Sequence, residues 1–145
     1  MKIHTSRFGA IEIDETGIYT FPAGVPGFEY CKQYVLLQPS QDMPFCYLQS
    51  VENGDLAFLV TDPFLYYHNY EFQLSESQQI ELKITQTEEI AIWSVVTVPA
   101  SLQDATLNLK APIILNVREK QGKQVILHET DYGTKHPLLP PVRSV

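Results

Sequence analysis

Apolar runs in this chain are short, and nearly every one is cut off by glycine, proline or asparagine. Residues 3–8, 10–14 and 18–21 are interrupted at Gly9 and Gly17, and Ile11-Glu12-Ile13-Asp14 alternates apolar with acidic. A period of two puts one side of a strand on a core and the other in water. Tyr34 to Leu37 forms a further strand, stopped by Pro39. Residues 46–52 and 55–60 flank Asn53-Gly54. That pair predicts a two-residue hairpin, because a type I′ turn needs positive φ at both central positions. Residues 90–98, IAIWSVVTV, read as a central strand covered on both faces, with Trp93 as its largest core residue. Residues 112–119 are expected to turn through Gln121-Gly122 into 123–128 as a second hairpin. One helix is predicted: Ser75 caps it, Gln78 completes a capping box, and Ile80 and Ile84 face the core. The expected fold is all-β, a small antiparallel β-barrel-like single domain with one short helix. It spans 1–136, with a proline-rich C-terminal tail over 137–145 whose three prolines suit no central strand.

Residues 21–29, FPAGVPGFE, form a turn set by chemistry. Pro22 and Pro26 lock φ and remove donors, and Gly24 and Gly27 supply the positive φ that other residues avoid. The same loop carries Phe21, Phe28 and Glu29, residues that suggest a rigid surface built to hold another molecule.

The length of 145 residues suits one core, and 44% hydrophobic with 19% charged residues excludes disorder. No apolar run approaches the ~18 residues of a membrane span. The segment MKIHTSRFGA has no apolar stretch of a secretory signal, so a cytoplasmic location is expected. The net charge of −7 is unevenly distributed. Residues 36–109 hold ten acids (Asp42, Glu52, Asp55, Asp62, Glu71, Glu76, Glu81, Glu88, Glu89, Asp104) against Lys83 alone. Residues 110–145 hold six bases (Lys110, Arg118, Lys120, Lys123, Lys135, Arg143) against three acids. The acidic middle is either a solvated face or a face for a basic protein partner. Direct nucleic-acid binding is disfavoured, since phosphate affinity needs a basic footprint. The same asymmetry leaves the oligomeric state open: like faces repel and opposite thirds attract.

Catalytic and metal signatures are missing from the sequence. There is no Gly-x-Ser-x-Gly, no His-Glu-x-x-His and no phosphate-binding or dinucleotide glycine loop. His4, His68, His128 and His136 are scattered without ligand spacing, and Cys31 and Cys46 read as small buried hydrophobes. Asp14-Glu15 and Glu88-Glu89, if extended, point to opposite faces and share no site. The expectation is a protein that is not an enzyme and carries no cofactor or metal. The stretch 61–72, TDPFLYYHNYEF, concentrates Phe64, Tyr66, Tyr67, Tyr70 and Phe72 beside Asp62, His68 and Glu71. Phe72 and Phe64 are read as barrel-filling residues. Tyr66, Tyr67 and Tyr70 either fill the barrel by alternation or stand as interface anchors.

Five stretches, FPAGVPGFE (21–29), PFCYLQSVE (44–52), FLVTDPFLYYHNYEF (58–72), TLNLKAPIILN (106–116) and GKQVILH (122–128), resemble in order the flagellar assembly factor family FliW. The resemblance implies a small cytoplasmic β-barrel-like protein of flagellated bacteria with no enzymatic activity. It implies two protein partners: newly made flagellin, held as a chaperone would hold it, and the translational regulator CsrA. Release of FliW on flagellin export would then sequester CsrA and let flagellin synthesis resume.

Partner-binding residues are assigned from composition. Phe28, Tyr66 and Tyr67 are the candidates for a flagellin groove taking apolar i, i+3, i+4 anchors. Asp55, Asp62, Glu71 and Glu76, with Tyr70, are the candidates for CsrA, where carboxylates at the rim of its RNA groove would repel phosphate without occupying the site. That makes a noncompetitive antagonist. The alternative, to which length and strand pattern alone also lead, is a small-ligand barrel of the lipid-carrier type with a large apolar cavity. A family-type barrel should instead be packed solid.

Overall fold

The computed structural model describes residues 1–138. The first two strands, β1 (Lys2–Thr5) and β2 (Gly9–Glu12), form a separate antiparallel hairpin. The next strands are β3 (Ile18–Thr20), β4 (Gln33–Leu37), β5 (Phe45–Ser50), β6 (Ala57–Thr61) and β7 (Ile90–Thr97), of which β4 to β7 each pair antiparallel with the strand before. After them come β8 (Thr106–Leu107), β9 (Ile113–Asn116), β10 (Gln121–Gln124) and β11 (His136–Pro137). Strand β9 pairs with both β10 and β7, and β10 meets β3, so the sheet closes into a seven-stranded barrel, β3-β4-β5-β6-β7-β9-β10. The β10–β3 junction is a single parallel bridge, Gln121 to Thr20, and is the one departure from an antiparallel barrel among the described residues. Strands β8 and β11 extend the sheet from β7.

Period-two alternation divides the strands as expected. Tyr34, Leu48, Val60, Ile113 and Leu115 point inward with Phe21, each at most 1% exposed. Ala91, Trp93 and Val95 of β7 pack on the same interior, while Ile90 and Ile92 face outward into a second layer. The continuous apolar run of β7 is thus explained: both of its faces are covered. The outer face of β3 and β4 is closed by the β1–β2 hairpin through Ile3, Ile11 and Ile13 against Val35 and Leu37. The barrel lumen is filled by side chains, as is usual at this strand number.

Several local expectations are corrected. Neither Asn53 nor Gly54 has positive φ, and β5 and β6 are joined by a longer loop rather than a type I′ turn. The loop is wound around Gln49, fully buried, whose Nε2 donates to the carbonyls of Ser50, Gly54 and Leu56. Gly54 is needed for proximity, not for φ: a Cβ there would overlap the carbonyl oxygen of His4. In the second hairpin Gln121-Gly122 lies within β10; the turn is 117–120, with Lys120 at φ 55° and Asn116 Oδ1 accepting from the amides of Arg118 and Glu119.

Helix α1 (Glu76–Glu81) has the expected capping box, Ser75 Oγ accepting from Gln78 N and Gln78 Oε1 from Ser75 N. Its apolar reading was half right. Ile84 packs inward, but Ile80 is 70% exposed and Leu82, at the C-cap, is the buried anchor. Lys83 at φ 56° ends the helix.

The 21–29 loop has Gly24 at φ 68° and Gly27 at φ 90°, as the sequence requires. It is not an exposed aromatic surface. Phe21 is wholly buried and plugs the barrel, and Phe28 packs edge-on against Phe58, 5.5 Å between ring centroids. At the start of the stretch expected as a tail, Pro137 pairs with β8, as does His136 before it, and Leu138 is buried. Residues 139–145 lie outside the described residues.

Candidate functional site

The chain between β6 and β7 leaves the barrel and lies across its outer face. Asp62 starts this excursion: its Oδ1 accepts from Phe64 N at 2.9 Å and Pro63 takes the first position of the 3-10 turn Pro63–Leu65. Tyr66 and Tyr67 follow, both half-buried. The Tyr67 hydroxyl donates to the Pro137 carbonyl at 2.6 Å, and its ring stands edge-on to His136, so Tyr67 fastens β11. Tyr70 turns inward at 4% exposure and donates to the Leu109 carbonyl at 2.7 Å, burial pushing its phenol above the ordinary tyrosine range. Phe72 packs between the two outer clusters, not inside the barrel. Phe64 is 36% exposed and leans on Tyr70, so it does not fill the barrel either.

Two grooves border this segment. An apolar one of about 390 Å³ lies between the 64–74 stretch and the outer face of β7, lined by Phe64, Phe72, Leu74 and Ile84 with Glu71 and Gln79 at its polar edge. A second, of about 530 Å³, lies between residues 71–75 and 125–130. Glu71 borders both.

The sequence-derived candidates are not gathered in one place. Phe28 belongs to the interior cluster beside Phe58, near the start of β6, whereas Tyr66 and Tyr67 pack on the outer cluster beyond the end of that strand. They line no common groove. Tyr70 is a core residue and presents almost no surface. Among the carboxylates, Asp62, Glu71 and Glu76 share the excursion, while Asp55 stands in the β5–β6 loop, hydrogen-bonded to Ser6 of the hairpin. Strand β6 separates Asp55 from Asp62, five residues at roughly 3.3 Å each.

Part of the acidic middle is used within the molecule. Glu81 pairs with Lys123 at 2.7 Å and Glu89 with Arg118 at 3.2 Å, which joins the acidic middle to the basic end of the chain. Glu52 Oε1 accepts from the amides of Lys32 and Gln33. Glu88 and Glu89 sit in a 3-10 turn, not an extended segment, and Glu89 alone is buried. Cys31 and Cys46 are free, the first buried and the second part-buried with its thiol pushed up by burial. Among the described residues no group of three His, Cys, Asp or Glu side chains is arranged to hold a metal, and no helix is long and apolar enough to cross a membrane.

The FliW family model, described as FliW protein, matches residues 2–138, the whole of the described barrel. The chain belongs to the FliW family. Flagellar assembly factor FliW of Natranaerobius thermophilus is 45% identical over 95% of this chain and 92% of its own length. That of Bacillus subtilis is 43% identical over 95% of this chain and 96% of its own. A solved structure, the crystal structure of the flagellar assembly factor FliW, superposes with a TM-score of 0.92 at 44% identity, covering 97% of this chain and 99% of that one. The FliW barrel expected from the five stretches is therefore the fold of this chain.

Sequence reading missed the apolar groove, since Leu74 belongs to no recognisable pattern and Ile84, expected on a core face, meets Phe64 only in space. It also missed the ion pairs, although the charge asymmetry of the two parts of the chain was their signal.

Proposed function

We propose that this FliW-family chain is a cytoplasmic flagellar assembly factor, a protein-binding regulator without catalysis that holds flagellin and antagonises CsrA. The observation that carries the reading is the full-length family match on a barrel whose interior is occupied by its own side chains. With the lumen filled, a partner is met on the outer surface, and the lipid-carrier alternative loses the cavity it requires. Flagellin, presenting an amphipathic helix before export, is assigned to the apolar groove of Phe64, Phe72, Leu74 and Ile84, whose lining includes neither Tyr66 nor Tyr67. Phe28 is dropped from that groove because it packs into the barrel.

CsrA is assigned to the neighbouring acidic rim of Asp62, Glu71 and Glu76, with Asp55 at the far end of β6. Carboxylates there would repel RNA phosphate over about a Debye length, roughly 8 Å at physiological salt, without entering the RNA groove. If the two partners exclude one another, each weakens the other's affinity by the same factor. Calorimetric titration of the chain into CsrA at low and physiological salt, with and without flagellin, tests the reading. Salt-sensitive binding that flagellin abolishes is expected; no binding in any condition refutes it.

A further inference from the structure

Beyond β10 the chain continues as an unpaired strand edge. Val125 N donates to the Pro112 carbonyl at 2.9 Å and Leu127 N to the Lys110 carbonyl at 2.8 Å, so residues 125 and 127 are bonded to the segment that leads into β9. In such a ladder the intervening residues turn their N–H and C=O groups the other way. Ile126 and His128 therefore direct theirs into the 530 Å³ groove, and among the described residues their amides have no hydrogen-bond partner. Strand β3, the neighbour of β10 on that side, ends at Thr20 and does not extend to cover them. Across the groove the amides of Phe72, Gln73 and Leu74 likewise have no partner among the described residues. Val125 and Leu127 are buried in the core beneath the groove, half-buried Phe72 and Leu74 stand at its edge, and its open lining is mostly polar. Exposed Glu71 and Glu129 stand on its two sides.

We propose that this groove takes an extended peptide of a partner protein, added as a strand on the Ile126–His128 edge, with basic residues toward Glu71 and Glu129. A row of unpaired backbone groups selects an extended chain, since a helix has satisfied its own. The acidic sides select a basic segment and disfavour a second copy of this chain, whose pairing on the same edge would set Glu71 and Glu129 against like charges. The groove shares Glu71, Phe72 and Leu74 with the apolar groove assigned to flagellin, but it offers a strand edge where that one offers a seat for a helix, and it does not depend on that assignment.

The test is fluorescence anisotropy and amide exchange by NMR on the full chain. The probes are a labelled peptide of alternating lysine and valine, its analogue N-methylated at alternate amides, and its glutamate–valine counterpart. The lysine–valine peptide is expected to bind and to slow exchange at Ile126 and His128. N-methylation and charge reversal are each expected to weaken binding by roughly tenfold, the loss of one or two hydrogen bonds or a charge contact. The proposal is overturned if the N-methylated peptide binds equally well, or if no peptide slows those two amides. It is overturned as well if they are protected in the free chain: in a concentration-dependent way, a second copy fills the groove, and otherwise the chain itself does.

Discussion

A Cβ on Gly122 would lie 2.5 Å from Cζ of Phe21, inside the ring's van der Waals surface. Phe21 is fully buried, and it fills the barrel only because the strand beside it has no side chain at that position. Gly122→Ala should therefore overpack the lumen and destabilise the fold by about 1–3 kcal/mol. Thermal unfolding checks this, and a second change, Phe21→Leu, made in the alanine variant, should recover part of the loss.

Gly54 holds the β5–β6 loop against the hairpin, and its substitution tests a different contact. Gly54→Ala would push the His4 carbonyl away and break the bond from Ser6 N to the Gly54 carbonyl, now 3.1 Å. The loss should be local: faster amide exchange in β1 and β2, with β4 to β7 unchanged. Equal exchange in the variant and the native chain would show that the hairpin is held by its apolar face alone.

Glu89 gives the stability a pH dependence of known sign. The Thr85 hydroxyl, 2.9 Å away, and then Arg118 hold its carboxyl below the ordinary glutamate value of 4.5. Because the folded value lies below the unfolded one, the stabilisation is complete above the ordinary value and is lost as pH falls through the lowered one. Urea midpoints measured downward from pH 6 should fall less steeply for Glu89→Gln than for the native chain. The variant should be the less stable of the two at pH 6, and the gap should narrow in acid.

Charge reversal at Glu71 and Glu76 addresses the partner reading. Both are exposed and neither makes a side-chain hydrogen bond or ion pair among the described residues, so Glu71→Lys with Glu76→Lys should leave the melting temperature nearly unchanged. CsrA affinity should drop by roughly tenfold, and its salt dependence should flatten. Asp62 is a poorer test, since it caps the turn at Phe64 and its loss would cost about 1 kcal/mol of stability. Calorimetry at two salt concentrations separates these outcomes.

What the sequence by itself determined was set by short-range physics. Period-two alternation placed Leu48, Val60, Ile113 and Leu115 inward, Gly24 and Gly27 required positive φ, and Ser75 with Gln78 formed the capping box. Each of these depends on neighbours within a few residues. Tertiary structure alone decided which glycine answers to what: Gly54 and Gly122 looked like turn residues and are instead places where His4 and Phe21, remote in sequence, come too close for a side chain. It also decided the fate of the aromatics, since whether Tyr70 is an anchor or a core residue depends on the Leu109 carbonyl that accepts its hydrogen bond. Closure of the barrel by β9 on β7 brings the basic end of the chain onto the acidic middle, and so fixed which charges pair within the molecule and which stay unpaired among the described residues. Contacts between residues far apart along the chain leave no periodic trace in it, which is why these outcomes appear only once the chain has folded.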